Sequence, residues 1–286
     1  MSGVAGVRVV AGYALRESLR RRVFLVVLVL TLAFLALFGL ACAEVFGNLE
    51  SVAGGGGDDA GSLATLTLLG LGMFATLFLG TVLAVFLTLG AIRGDAERGL
   101  LQPLVVRPIG RPAFLLGRFL AAATVCVAYV VVVWGSCLGL VQLAGGRGPG
   151  DGLVPGLTLA GGVVVMAALS LLGSVFLSST ANGIAVFMAF GAGLVGGLLG
   201  SIADALSSST LSDISRVVAL ALPFEALYQG GLHALTTGAS GFTSTILQLG
   251  PFGSSRSLGT WMVPFLAAWL AVVGGLALRG FVRRDL

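Results

Sequence analysis

Long uncharged runs rich in Leu, Val, Ala and Gly alternate with short polar stretches along the chain. A helix needs roughly 20 residues to cross about 30 Å of hydrocarbon, and six runs are long enough. They lack the polar–apolar alternation of barrel strands, so we predict six transmembrane helices. These spans are Val23 to Ala43, about Ala64 to Ile92, about Phe119 to Val141, about Gly156 to Leu177, about Gly183 to Leu199, and about Leu258 to Leu278.

The composition supports a membrane protein. Only 10% of the residues are charged and 57% are hydrophobic, which is too few charges for the surface of a water-soluble globule. We therefore predict an all-α polytopic membrane protein with a single transmembrane domain over residues 1–286. The boundary between the fourth and fifth spans falls at "SSTAN" (Ser178 to Asn182), which we expect to be a polar turn.

The N-terminal region, residues 1–22, has its own pattern. Its small and apolar residues recur at helical spacing and its charged residues gather elsewhere, which indicates an interfacial amphipathic helix; the alternative is an ordinary basic flank. The "ACA" at residues 41–43 resembles a signal-peptide cleavage site. However, the preceding run of about 21 residues exceeds an h-region of roughly 7–15, so we expect it to be retained as the first span.

The arginines predict the orientation. All sixteen basic residues are Arg, and thirteen of them lie before the first span, between the second and third, or after the sixth. By the positive-inside rule these three regions, and so both termini, are cytoplasmic. We therefore interpret the net charge of +4 as a topology signal rather than as nucleic-acid binding. Exclusive Arg usage is typical of a GC-rich bacterial genome, which predicts the bacterial inner membrane.

The chain offers little catalytic chemistry. Without Lys it can form neither a Walker A phosphate site nor a Schiff base. Its three cysteines, Cys42, Cys126 and Cys137, all fall in predicted spans without a C-x-x-C motif, so we expect small apolar fillers rather than metal ligands. The predictions are no catalytic residue, no metal and no cofactor bound by this chain.

A "GASG" stretch at residues 238–241 resembles the nucleophile turn of rhomboid-type intramembrane proteases. A serine nucleophile needs a base within hydrogen-bond reach. The only histidine, His233, comes seven residues before Ser240 rather than on a later span. A Gly/Ser loop is therefore favoured over an intramembrane hydrolase.

Ionisable side chains inside spans would mark an ion or proton pathway, and the predicted spans contain none. Glu44, Asp204 and Glu225 lie near outer edges, where they could dip inward. Unless they do, the chain takes its energy from another source.

The stretch "GDAERGLLQPLVVRPIGR" (residues 94–111) concentrates charge in an otherwise apolar chain. If residues 94–102 form a helix, Leu100 and Leu101 supply an apolar side while Asp95, Glu97 and Arg98 face water or a partner. Prolines at 103 and 108 then interrupt the helix. This pattern predicts a short charged element between the second and third spans.

This stretch resembles the cytoplasmic loop of ABC-2 type permeases, the membrane subunits of a class of ABC exporters. The match consists of Glu97 and Gly99, an apolar run, Arg107-Pro108, Arg111 and Gly117-Arg118. The opening "LRESLRRRVF" and closing "FVRRDL" are also similar to that family. The family commonly has Thr-Leu after the Gly, whereas this chain has Leu100-Leu101 and then a proline.

The resemblance implies that residues 93–112 are a coupling helix docked on a separate ATPase subunit, which would bind ATP and Mg. It implies two such subunits and a second copy of this chain or a homologous permease. The alternative is a positive-inside flank without a partner. "SSTAN" is a second, weaker docking candidate. The expected contact residues are Arg93, Asp95, Glu97, Arg98, Gly99, Arg107, Pro108 and Arg111.

Residues 201–257 contain apolar segments too short to cross a membrane, which we expect to lie at or dip into the outer leaflet. The resemblance implies exofacial helices that shape a gate or meet an extracytoplasmic partner protein; interfacial anchoring is the alternative. The candidate contacts are Asp204, Asp213, Arg216, Glu225 and Tyr228.

The sequence thus favours a permease subunit that exports a substrate or transmits force across the membrane, with ATP hydrolysed on a partner. The second hypothesis is a non-transporting polytopic scaffold. Small-residue spacings at Gly135/Gly139, Gly193/Gly197 and Gly196/Gly200 predict close helix packing, more often within one subunit than between two.

Overall fold

The computed structural model describes residues 7, 10–14, 22–52, 57–89, 111–146, 152–236 and 257–283, and all regular structure in these ranges is helical. Six of the helices are long and apolar enough to cross a membrane, which confirms an all-α fold with six candidate spans. Beyond the short helical stretch at residues 10–14, the helices are α1 (Arg22–Val52), α2 (Gly57–Thr88), α3 (Arg111–Leu143), α4 (Leu153–Phe176), α5 (Ser179–Leu206), α6 (Ser209–Ala221), α7 (Pro223–Thr236) and α8 (Met262–Val282).

The span boundaries differ from the sequence prediction by several residues, and two of the differences have a clear structural cause. The third candidate span begins at Pro112 rather than Phe119, because Arg118 is accommodated within α3 with its guanidinium carbon 5.4 Å from the centre of the Phe114 ring. The predicted "SSTAN" turn shrinks to Leu177 and Ser178. The extended Ser178 caps α5 by accepting a hydrogen bond from the Ala181 amide at 3.4 Å, so the rest of the stretch is helical.

Helices α2 and α4 form the centre of the bundle. Most of each is buried, and Leu69, Met73, Leu77, Leu159 and Met166 have no exposed surface. The peripheral α1 and α8 instead expose most of their apolar surface. Such surfaces are compatible with lipid, which is as apolar as the side chains that face it.

The ends of the bundle are defined by the chain path. The loop end is where α2 ends at Thr88 and α3 begins at Arg111; the opposite end is the hairpin end. At the loop end one apolar cluster joins the N-terminal helical stretch to α3, α4 and α8. The N-terminal stretch and the end of α8 are therefore on the same side of the bundle as the predicted coupling loop. The cluster contains Val10, Phe114, Leu115, Leu171, Val175, Ala277 and Phe281.

Three buried polar residues, which we call the Asn182 clamp, join α2, α4 and α5 near the loop end. The Thr88 hydroxyl donates to the Ser170 hydroxyl at 2.6 Å, and the Asn182 amide donates to the Ser170 carbonyl at 2.9 Å. Asn182 has no exposed surface. Hydrogen bonds between helices hold an apolar bundle in one register, since apolar contacts alone permit sliding.

The small residues differ in how closely they are packed, as the three cysteines and two of the glycines show. Cys42, Cys126 and Cys137 are free and fully buried, as expected of small fillers. At Gly135 and Gly139, an added Cβ would meet no described atom within 4 Å. The predicted close packing at this pair is therefore not made within the described part of the chain.

Candidate functional site

Helices α6 and α7 form a hairpin that folds back into the bundle. Helix α5 ends at Ser207, which adopts the left-handed conformation with φ 51°, and α6 then returns along α5. Leu222 ends α6, and Pro223 opens α7, a position where proline is favourable because the first helical amides have no partner. We call Leu222, Pro223 and Phe224 the hairpin tip.

The hairpin tip reaches the middle of the bundle. Helix α6 has 13 residues, which gives about 20 Å of helix at 1.5 Å per residue. The ring of Phe224 stacks on that of Phe190, with centroids 5.3 Å apart, and contacts Gly193 near the midpoint of α5. On the other side, a Cβ at Gly162 of α4 would lie 3.5 Å from the Phe224 carbonyl oxygen. The predicted dip of this region is thus a deep insertion.

Glycines on α5 make room for the hairpin. An added Cβ would overlap Phe224 at Gly193, Val218 at Gly196 and Glu225 at Gly197. Their spacing places all three toward the hairpin, where only a bare backbone permits the approach. The predicted packing within one subunit is confirmed at Gly193/Gly197 and at Gly196.

The opposite face of the hairpin packs against α2 and α4. On α7, an added Cβ at Gly231 would lie 2.9 Å from the Met73 methyl of α2 and would overlap the Thr158 hydroxyl of α4. Likewise, the Leu232 side chain lies 3.8 Å from the position of a Cβ at Gly70 on α2. A movement of α2 or α4 must therefore displace the hairpin as well.

Glu225 is an acidic side chain buried beside the hairpin tip. It is 5% exposed, and its carboxylate accepts a hydrogen bond from the Gln229 amide at 2.6 Å. A buried charge is costly unless it is hydrogen-bonded. Besides that bond, Glu225 lies in the first turn of α7, where the partial positive charge of the helix stabilises an anion.

A cavity of about 300 Å³ lies between α6, α7 and the start of α8. Glu225, Gln229 and Ser215 supply polar groups, and Arg216 lines the same cavity from α6. The rings of Trp261 and Phe265 also line it and meet edge to face at 5.4 Å. A small concave site with a few converging polar groups is the usual form of a ligand pocket.

The exofacial residues predicted from the sequence fall into three groups. Asp213 and Arg216 are exposed on α6, whereas Glu225 and Tyr228 are 5% and 1% exposed on α7. Because Glu225 and Tyr228 are buried, they do not lie on the surface of the described chain. Asp204 lies in the last two turns of α5, which extends past the predicted start of the exofacial segment at residue 201.

The predicted ATPase-contact residues Arg93, Asp95, Glu97, Arg98, Gly99, Arg107 and Pro108 lie outside the described residues, and Arg111 is the first residue of α3. The described chain does fix the two ends of this loop. It connects α2 and α3, which pack on each other and on α4. The loop is thus attached to the two helices that lead into the core.

The "GASG" stretch also lies outside the described residues, and His233 is partly buried near the end of α7. Where the structure describes the chain, no three His, Cys, Asp or Glu side chains come together as metal ligands. Sequence reasoning missed Ser215, Gln229 and Trp261 as cavity residues. The four-residue spacing of Glu225 and Gln229 was the available signal, since it places both on one helix face.

A comparison with protein families gives one result. The model of a family described as ABC-2 family transporter protein matches residues 8–286, nearly the whole chain. No curated protein matches the chain.

Proposed function

The chain belongs to the ABC-2 family of transporter proteins, and from this premise we propose that it is the permease subunit of an ATP-driven transporter. A separate cytoplasmic ATPase subunit hydrolyses ATP with Mg, and this chain converts that reaction into export or force transmission across the membrane. The chain is not itself an enzyme. Its lack of Lys, and so of a Walker A site, supports an external energy source.

One structural observation carries this proposal: α2 links the predicted coupling loop to the hairpin. It ends at the loop, and its residues Gly70 and Met73 contact α7. Helix α4 runs beside it and contacts the hairpin tip at Gly162. Closure of the ATPase subunits around nucleotide pulls the loop, tilts α2 and α3, and shifts the hairpin through α2 and the neighbouring α4. Packed helices transmit such shifts because they cannot deform continuously.

The assembly follows from the family and the charge distribution. We infer two ATPase subunits and two permease subunits, either two copies of this chain or one copy with a homologue. Thirteen arginines precede the first span, lie between the second and third, or follow the sixth, and from them we infer that both termini are cytoplasmic, with the chain in the inner membrane of a bacterium. The hairpin then opens to the exterior, where an extracytoplasmic protein is the further candidate partner.

In the loop, charged residues set the register of docking and the apolar side supplies contact area. Glu97, Arg98, Arg107 and Arg111 are the proposed contacts, together with Arg93 and Asp95, while Gly99 and Pro108 shape the backbone. Reversing the charge at Glu97 places a positive side chain against a partner surface that is itself positive, because that surface is complementary to an acid. We expect Glu97→Arg to abolish recovery of the ATPase.

The test is affinity purification of the tagged chain from its native membranes, with partners identified by mass spectrometry. Wild type is expected to recover a Walker A ATPase and Glu97→Arg to lose it. The matched control is Glu44→Arg, an equal charge reversal at an exposed residue near the hairpin end, which should retain the ATPase. Failure of wild type to recover any ATPase would favour the non-transporting scaffold instead.

A further inference from the structure

The cavity between α6, α7 and α8 carries opposite charges at different depths. Glu225 is buried, at 5% exposure, whereas Arg216 is exposed on α6. Both line the cavity. A ligand that contacts both side chains would place a positive group against the buried Glu225 and a negative group against the exposed Arg216.

The remaining lining fits a small ammonium group. The Gln229 side chain and the Ser215 hydroxyl, which are 6% exposed each, provide hydrogen-bonding groups beside Glu225. The partly buried Phe265 provides aromatic surface, which attracts cations through the ring quadrupole. Charge-assisted hydrogen bonds from an ammonium to a carboxylate are stronger than neutral ones.

The flanks of the cavity indicate a ligand that is partly apolar. Leu220 lines the cavity and is 43% exposed, and the neighbouring Val217 is 66% exposed. Trp261 at the start of α8 is 58% exposed, and Trp is typical of the membrane–water interface. A molecule whose polar head enters the cavity would leave its apolar part against these side chains and the surrounding lipid.

We propose that this cavity binds the headgroup of phosphatidylethanolamine from the adjacent leaflet. Its terminal ammonium reaches Glu225 and Gln229, and its phosphate, which lies between the ammonium and the acyl chains, meets Arg216 at the mouth. The order of charges in the headgroup matches their order in the cavity. A volume of about 300 Å³ is at the lower limit of ligand pockets and suits a headgroup without its chains. This site does not depend on the proposed coupling to ATP.

The experiment measures lipid binding to the purified, delipidated chain by native mass spectrometry, with dioleoyl phosphatidylethanolamine, phosphatidylcholine and phosphatidylglycerol as probes. We expect phosphatidylethanolamine to bind about tenfold more tightly than either other lipid, the factor for one hydrogen bond to a charged group. Phosphatidylcholine carries a positive charge without N–H donors, and phosphatidylglycerol lacks the cation. Equal affinity for all three lipids would overturn the proposal.

Variants locate the site. Glu225→Gln and Arg216→Gln should each weaken phosphatidylethanolamine binding about tenfold. The controls Glu44→Gln and Arg283→Gln remove exposed charges outside the cavity and should leave binding unchanged. Arg216 is exposed, so its variant tests the site even if Glu225→Gln disturbs folding, which helix content monitors. Cavity variants that behave like the controls would overturn the site.

A final arm distinguishes the lipid from a soluble ligand. Water-soluble O-phosphoethanolamine has the same charged groups but no acyl chains. At the same concentration as the lipid, we expect it to displace none of the bound phosphatidylethanolamine. Full displacement would overturn the assignment to a lipid.

Discussion

Replacing Gly193 with Leu is expected to expel the α6–α7 hairpin from the bundle. The ring of Phe224 occupies the space that any side chain at Gly193 would need and stacks on Phe190, while the carbonyl oxygen of Phe224 lies against Gly162. Overpacking of a well-packed core typically costs about 1–3 kcal/mol and more where neighbours cannot move. Displacing the hairpin also breaks its contacts with α2 and α4, so the variant should lose transport as well as stability.

Trypsin cleavage after Arg216 on α6 measures this displacement, because a helix must open locally before a protease can cut it. We expect cleavage of Gly193→Leu to be several times faster than cleavage of wild type. Gly191→Leu is the matched control, since it lies on the same helix and an added Cβ there meets no described atom within 4 Å. If both variants were cut at the wild-type rate, the tight packing of the hairpin tip would be contradicted.

The second large effect is expected from Asn182→Asp. The two side chains have nearly the same shape, so the change replaces an amide donor with a carboxylate oxygen. That oxygen would face the Ser170 carbonyl, which now accepts from the amide at 2.9 Å, in a site with no exposed surface. A charged Asp within a transmembrane helix costs about 2.5–3.5 kcal/mol on insertion scales. We therefore expect about 3 kcal/mol of destabilisation at neutral pH.

Denaturation in mixed detergent at two pH values tests this prediction. At low pH the introduced acid is protonated and its O–H can again donate to the Ser170 carbonyl, so the stability of the variant should rise toward that of wild type as pH falls. Asn48→Asp serves as control, because Asn48 is exposed and its bond to Glu44 is a surface contact. A variant as stable as wild type at neutral pH would contradict the clamp.

The sequence predicted the six spans because a long apolar run has few alternatives in a membrane. It misplaced the start of α3 because an arginine can remain inside a helix end when its guanidinium lies over an aromatic ring, as that of Arg118 does over Phe114. It overestimated the "SSTAN" turn because one capping serine suffices to start α5.

The depth to which α6 and α7 insert into the bundle was the main property that could not be predicted from the sequence. The segments that became α6 and α7 were recognised as short and apolar, but their insertion to the level of Gly193 depends on tertiary contacts with Phe190 and Gly162. The same insertion buries Glu225, an inward position that the sequence left open without deciding it. Helical spacing of small residues indicated close packing, but not which element would fill the space.

Helices α2 and α4 connect two distant regions of the bundle. The loop that we propose to dock on the ATPase joins α2 and α3 at one end, and the hairpin packs on α2 and α4 in the middle of the bundle. The Asn182 clamp holds α2, α4 and α5 in register between them. For the function proposed above, we expect coupling to take the form of a two-state shift of this unit.

The most direct test of this central claim is the maleimide labelling rate of Asp213→Cys in the reconstituted complex, with and without ATP. Asp213 is exposed on α6, and the three native cysteines are fully buried, so the introduced thiol reports on the hairpin. We predict that ATP changes the labelling rate by about fivefold or more, the lower range of allosteric coupling, and that adding Glu97→Arg abolishes the change. A rate insensitive to ATP in a complex that hydrolyses it would contradict the account.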